Sequence, residues 1–284
     1  LKTLQTLKKY NNNLKIKYFS SGEKVFDWKI PKEWKINQAY ILNPENEKIC
    51  DFKKNNLHLM GYSKKVKKKL SLKELQKNLF SIKKLPNAIP YITSYYKRNW
   101  GFCLTHSQRK KLKKGTYRVL IDADFKKGKM HYGEIFIKGK LKKEILFSTY
   151  ICHPSMANNE LSGPVIALYL YKFLKKKKRK YSYRIIFSSE TIGSIAYIKR
   201  NLIKLKKNLL AGYILTCVGD ERCFSFMPSK EGNTTSDRYA LSVFKKIKKK
   251  KVFYSWLDRA SDERQYCAPG IDLPVCSIMR SKYG

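Results

Sequence analysis

"EILFSTYICHPSMANNELSGPVIALYLYKFLKK", residues 144–176, decides how the chain is read. Residues 144–152, "EILFSTYIC", form a nearly continuous apolar run. A strand buried on both faces of a parallel sheet reads this way, whereas a half-exposed strand alternates. Residues 163–176, "GPVIALYLYKFLKK", instead place apolar residues at helical spacing. The pattern then recurs. "YSYRIIFSSE" (181–190) reads as a strand and "TIGSIAYIKRNLIKLKK" (191–207) as a helix. "LLAGYILTCVGD" (209–220) is a strand, and "TTSDRYALSVFKKIKKK" (234–250) is a helix with a Thr-Thr-Ser start. "VFYSWLD" (252–258) and "LPVCSIM" (273–279) close the series as strands. This alternation predicts an α/β fold with a doubly wound, mostly parallel sheet over residues 143–284.

The first half has another character. Residues 1–19 read as the end of a helix, "LKTLQTLKKY", followed by the strand "LKIKYF". Residues 20–142 carry short alternating strands punctuated by proline, tryptophan and turn residues, and are expected to form an inserted, mainly-β domain. Within it, "GTYRVLIDADF" (115–125) and "MHYGEIFIKG" (130–139) are expected to pair as a hairpin. "SLKELQKNLFSI" (71–82) is expected to be a short helix capped by Ser71, with Glu74 three residues on.

Composition excludes some classes. Apolar residues make up 43% of the 284, enough for a sizeable core. No segment reaches the roughly 18 uninterrupted apolar residues of a membrane span. The formal charge is +41, but the lysines are dispersed, as in "VKKKL", "KKKKRKY" and "KKIKKKK". Such runs belong on solvated loops and helix faces. Isoleucine, asparagine and tyrosine are also plentiful, which is the flavour of an AT-rich genome. The charge alone predicts salt-sensitive, non-specific binding to nucleic acid; no motif for specific binding is visible. The seven cysteines are odd in number and include no CxxC pair. This favours reduced thiols in a cytoplasmic protein and offers no cysteine-rich zinc motif. The chain begins at Leu1 and stops at "RSKYG", which reads as a fragment at both ends.

In an open parallel sheet, ligands gather at the carboxyl ends of the strands. Candidate groups fall there in succession. His153 follows the first core strand; Asn159 and Glu160 lie on the loop beyond it; Glu190 ends the second strand, and Asp220 the third. Asp262 and Glu263 stand in "RASDERQY", after the 252–258 strand. Each has a plain alternative. His153 and Asp220 are ordinary turn residues, Glu190 suits a helix start, and Asp262 has Arg259 and Arg264 nearby to pair with. Imidazole and carboxylates at successive strand ends also suit zinc with one coordination position open.

"STYICHPSMANNELSGP", "SSETIGSIAYI", "LTCVGDERCFSF" and "SDERQYCAPGIDLPVCSIMRSKYG" resemble bacterial aminopeptidase-like proteins with a zinc-peptidase core, often found beside polysaccharide-biosynthesis genes. "GEKVFDWKIPKEW" and "IPYITSYYKRNWGFCLTH" look like that family's inserted β domain. More distantly, the core resembles zinc aminopeptidases and glutaminyl cyclases. The resemblance implies a hydrolase in which metal-activated water attacks an amide carbonyl of a peptide or other small-molecule amide. It implies one or two zinc ions, with His153, Glu160 and Asp220 as metal ligands and Glu190 and Asp262 as catalytic residues. Three positions depart from the pattern: Asn159 replaces a bridging acid, Thr191 a second glutamate, and Thr216 an aspartate ligand. The family's final histidine ligand is expected just past Gly284. A second implication is a catalytically degenerate peptidase fold that binds rather than cleaves, in surface-polysaccharide assembly.

Overall fold

The computed structural model describes residues 1–95 and 97–282. The chain forms two compact units, residues 1–31 with 129–284, and residues 32–128.

The first unit is built on an eight-stranded sheet. Its strands in chain order are β1 (Lys15–Ser20), β2 (Lys129–Ile137), β3 (Glu144–Tyr150), β4 (Ser182–Ser188), β5 (Leu209–Leu215), β6 (Phe224–Met227), β7 (Lys251–Phe253) and β8 (Val275–Met279). Their order across the sheet is β1-β2-β4-β3-β5-β8-β6-β7. The sheet is mixed, with four of its seven strand pairings parallel. Its centre, β4-β3-β5-β8, is parallel, as is the β6–β7 pair, while β1–β2, β2–β4 and β8–β6 run antiparallel. The parallel centre is where the sequence shows continuous apolar runs. β6 and β7 escape that signal because they are only four and three residues long.

The helices are α1 (Lys2–Tyr10), α2 (Ala157–Glu160), α3 (Ser162–Lys175), α4 (Ile192–Asn208), α5 (Thr235–Lys246) and α6 (Asp262–Tyr266). α1 and α3 pack one face of the sheet through Leu4, Leu7, Ala167, Leu168 and Tyr171. α4 and α6 pack a separate cluster through Ala196, Tyr197, Leu205 and Tyr266. In α3 the buried residues Pro164, Ala167, Leu168, Tyr171 and Leu174 recur at three- and four-residue steps, the spacing of one helix face. No helix among the described residues is long and apolar enough to cross a membrane.

The expected hairpin between 115–125 and 130–139 does not form. Thr116–Lys126 lies in the four-stranded sheet of the second unit, between Glu33–Leu42 and Val66–Ser71. Residues Lys129–Ile137 instead join the large sheet between β1 and β4. Sequence proximity suggested a hairpin, but the burial of Tyr132, Gly133, Glu134 and Ile135 matches a central strand. The 252–258 run is a three-residue strand followed by a 3-10 turn at Trp256–Asp258, not one strand. In the second unit the Ser71–Glu74 capping box is present, on a helix of only one turn, Leu72–Leu75.

A buried ion cluster spans β2, β4 and β3. The Arg184 guanidinium donates to Glu144 at 2.6 and 2.9 Å and also to Glu134. Lys17 reaches Glu134, and Lys204 lies 3.4 Å from Glu144. Arg184→Met strands two buried carboxylates with one lysine each. It should cost about 3–5 kcal/mol, the range for breaking a buried pair from one side. Glu134→Gln and Glu144→Gln added to it should recover most of the loss in urea unfolding. No recovery in the triple variant would mean that packing, not charge, sets the cost.

Candidate functional site

The four parallel strands end at one edge of the sheet, with Tyr150 paired to Ser188 and Ile214 to Ser277. The segments that leave this edge carry the candidate side chains. Local backbone is unusual there. Ser155, Thr191 and Cys217, one after each of β3, β4 and β5, hold positive φ without being glycine. Such residues cost on the order of 1–3 kcal/mol each and persist where surrounding contacts over-determine them. α3 starts close against the strands. A Cβ on Gly163 would sit 2.3 Å from the Leu215 carbonyl oxygen and from Thr149 Oγ1, so the helix approaches this near only because residue 163 is glycine.

His153 lies between two carboxylates. Its Nδ1 is 2.6 Å from Glu160 Oε1, and its Nε2 is 3.3 Å from Glu190 Oε2. The other Glu160 oxygen accepts the Cys152 amide, so one turn of helix, α2, delivers a carboxylate back onto the end of its own strand. Ser261 Oγ donates to Glu190 Oε1 at 2.5 Å, and the Glu190 amide donates to Cys152 Sγ at 3.1 Å. Burial works against a charged His153, but Glu160 and then Glu190 outweigh it and raise its pKa. Burial raises the Glu190 carboxyl against the opposing pull of Ser261 and His153.

Asp262, fully buried, accepts the Thr191 amide at 2.7 Å and Ser194 Oγ at 2.9 Å, both on Oδ1. Oδ2 has no partner among the described residues. Burial, with the Glu190 charge added, pushes this carboxyl up to about 8. Neither Arg259 nor Arg264 pairs with it among the described residues. Glu263 instead accepts the Ala260 and Ser261 amides at 3.0 Å each and Ser277 Oγ at 2.9 Å, fixing the loop that carries Ser261.

Asp220 is placed apart from these bonds. Its oxygens take Asn158 Nδ2 at 2.9 Å, the Arg222 amide at 3.0 Å and Ser281 Oγ at 2.5 Å. Burial opposes its charge, but these hydrogen bonds hold it well below the usual carboxylate range. Thr216, at the position of the absent aspartate, is bonded through Oγ1 to Tyr150 OH. Asn159 Nδ2 lies 3.3 Å from the same Tyr150 oxygen.

Sequence reasoning missed Cys152 and Ser261. Sγ of Cys152, a nitrogen of His153 and an oxygen of Glu160 lie within 4.8 Å of one another, a group fit for a metal ion. Adjacency to His153 was the one available signal, since paired-cysteine spacing is absent. The donor set and the charge balance both suit zinc. Glu160 and Glu190 pair with no lysine or arginine among the described residues, so buried acid exceeds base at the sheet edge of a chain with formal charge +41. Buried carboxylates need a compensating cation, and zinc accepts imidazole, carboxylate and thiolate.

A family model described as a domain of unknown function, DUF4910, matches residues 1–284. The chain belongs to the DUF4910 family. A curated Clostridium acetobutylicum relative, described as a polysaccharide biosynthesis protein with an aminopeptidase-like domain, is 45% identical over 283 residues. The DUF4910 chain is matched over 100% of its length and spans 65% of that relative. A crystal structure of a Clostridium acetobutylicum protein described as a peptidase aligns with a TM-score of 0.94 at 45% identity, over 100% of this chain and 67% of that one. BSAP, a zinc aminopeptidase from Bacillus subtilis, aligns with a TM-score of 0.68 at 13% identity, over 99% of this chain and 78% of its own. A peptidase M28 precursor from Shewanella amazonensis gives 0.62 at 9%, over 98% and 77%. At these last two identities the likeness is of fold: the DUF4910 chain has the mixed α/β architecture of zinc aminopeptidases.

Proposed function

We propose that the chain carries a zinc-dependent amide hydrolase centre of the aminopeptidase type at the carboxyl edge of its sheet. The observation that supports it best is His153 held between Glu160 and Glu190, with no lysine or arginine pairing those acids among the described residues. His153 and Glu160 would hold the ion. Asn159 puts a neutral amide where a bridging acid would stand, which favours one ion over two. A bound zinc supplies Lewis acidity, polarising a carbonyl oxygen and bringing the pKa of water toward neutrality.

The chain's own groups do the rest. Glu190, its carboxyl raised by burial, takes a proton from the attacking water and returns it to the leaving amine. Ser261 holds one Glu190 oxygen so that the other faces the centre. Asp262, neutral near pH 7, keeps Oδ2 as a proton donor and fixes the strained Thr191 turn through Oδ1. Asp220, expected from sequence as a ligand, serves in this proposal to brace the loop after β5 through Asn158, Arg222 and Ser281. The substrate class is a peptide or small amide. The mainly-β segment is taken as an inserted domain, supported by the compact unit over residues 32–128. A cytoplasmic location belongs to the same proposal, supported by seven unbridged thiols.

The second reading is a degenerate peptidase fold that binds without cleaving, favoured by Asn159, Thr191 and Thr216 at positions where acids are expected. Zinc content separates the two. Wild type purified without chelator should hold about one zinc per chain, from the single open site of a catalytic centre, and His153→Ala should hold none. A wild type that takes up no supplied zinc leaves the binding reading in place.

A further inference from the structure

We infer that the Cys152 thiolate is a protein ligand of the zinc centre, alongside His153 and Glu160. This rests on the zinc reading above and deepens it. A catalytic zinc takes three protein ligands and keeps one position open. His153 and Glu160 supply two. Asn159 and Thr216 lack charge, Glu190 is assigned to proton transfer in the proposal above, and the Asp220 oxygens are taken up by Asn158, Arg222 and Ser281. Among the described residues, Cys152 is the remaining member of the one group whose ligand atoms lie within 4.8 Å of each other.

The sulfur–imidazole distance agrees, while His153 Nδ1 and Glu160 Oε1, hydrogen-bonded at 2.6 Å, must part to about 3.3 Å to share the ion. Two donors on one tetrahedral zinc, with Zn–S about 2.3 Å and Zn–N about 2.0 Å, lie about 3.5 Å apart. Cys152 Sγ lies 3.8 Å from His153 Nδ1. The Glu190 amide, 3.1 Å from Sγ, is a donor that a thiolate ligand uses to spread its charge. The charges close as well: one thiolate and one carboxylate neutralise a divalent ion, and His153 joins as neutral imidazole. As the sulfur–metal bond forms, the thiol proton leaves to solvent. A soft sulfur donor also turns the site away from magnesium and calcium and toward zinc, cobalt and cadmium.

Cobalt(II) titration of chelator-stripped protein tests this without any substrate. Visible d–d bands report ion binding, and a near-ultraviolet thiolate-to-cobalt band reports sulfur ligation. Wild type should show both. Cys152→Ser should lose the thiolate band and bind cobalt more than about a hundredfold more weakly, beyond the loss typical of an outer-sphere change. Cys217→Ser should keep the thiolate band. Wild-type d–d bands with no thiolate band would overturn the ligand while leaving the hydrolase reading standing. So would a thiolate band that survives Cys152→Ser or vanishes in Cys217→Ser. The wild-type spectrum decides whether sulfur binds the ion at all, even if a variant folds poorly. No cobalt uptake by wild type overturns both readings.

Discussion

Glu190→Gln is expected to lower turnover of an aminoacyl amide by about a hundred- to ten-thousand-fold, while zinc content stays at the wild-type level. The size is that of a lost general base. At 1.36 kcal/mol per decade it amounts to about 3–5 kcal/mol of barrier. Glutamine keeps the shape of the side chain and still accepts from Ser261 Oγ, so the loop at 260–263 is not asked to move. What it cannot do is take a proton. Turnover and zinc measured on the same preparation separate two roles that the geometry brings close. Glu190 Oε2 stands 3.3 Å from His153 Nε2, near enough for either a base or a ligand. Lost turnover with retained zinc assigns the base. Lost zinc assigns a ligand. Turnover within about threefold of wild type removes Glu190 from the chemistry, because removing a positioned base has a far larger effect.

The sequence announces the centre of this fold more clearly than its edges, for a physical reason. Strands 144–150, 182–188 and 209–215 are covered on both faces, and each carries consecutive apolar residues, Ile145–Phe147, Ile185–Phe187 and Leu209–Leu215, where a half-exposed strand would alternate. Helices 162–175, 192–208 and 235–246 each present an apolar face at helical spacing. The strand 129–137 is harder to place because it contains Glu134, buried only because Arg184 and Lys17 meet it from distant parts of the chain. Phe224–Met227 is too short to announce itself at all. Hydrophobic periodicity shows that a segment is a strand but not which sheet it joins, and so 115–125 and 130–139 look like a hairpin.

The site divides in the same way. His153, Glu190 and Asp262 stand out because polar residues at the ends of core strands are conspicuous. Glu160 bonds His153 across seven residues, close enough for loop reasoning to pair them. Cys152 does not stand out, since a cysteine at the end of an apolar run reads as core. Ser261 meets Glu190 across 71 residues and depends on Glu263 to hold its loop, which no local pattern reports. Asp220 shows the reverse case. A strand-end acid at the right position is occupied by Asn158 and Ser281, the second of which lies 61 residues on.

With metal removed, folding stability should fall as pH rises from about 4 to 8, and Asp262→Asn should abolish much of that fall. Asp262 sits near its ordinary 3.8 in the unfolded chain and at about 8 in the folded one. Between those values the native state holds a proton that the unfolded state has released. Stability then decreases with pH, by about 1.4 kcal/mol per unit from this one group, and levels off above about 8. The full change is on the order of 5 kcal/mol. His153 contributes in the same direction, since its raised pKa also means that protonation favours the fold. The difference between wild type and variant isolates Asp262. Asparagine keeps an oxygen for the Thr191 amide and Ser194 hydroxyl but stays neutral throughout. Urea unfolding at pH 5, 6, 7 and 8, with chelator so that metal linkage does not enter, measures both slopes. Parallel slopes in wild type and variant would mean that Asp262 is ionised in the fold, and its free oxygen would then be an acceptor, not a donor. A steeper wild-type slope keeps it neutral near pH 7, where a buried carboxylic acid beside a general base can give a proton while its neighbour takes one.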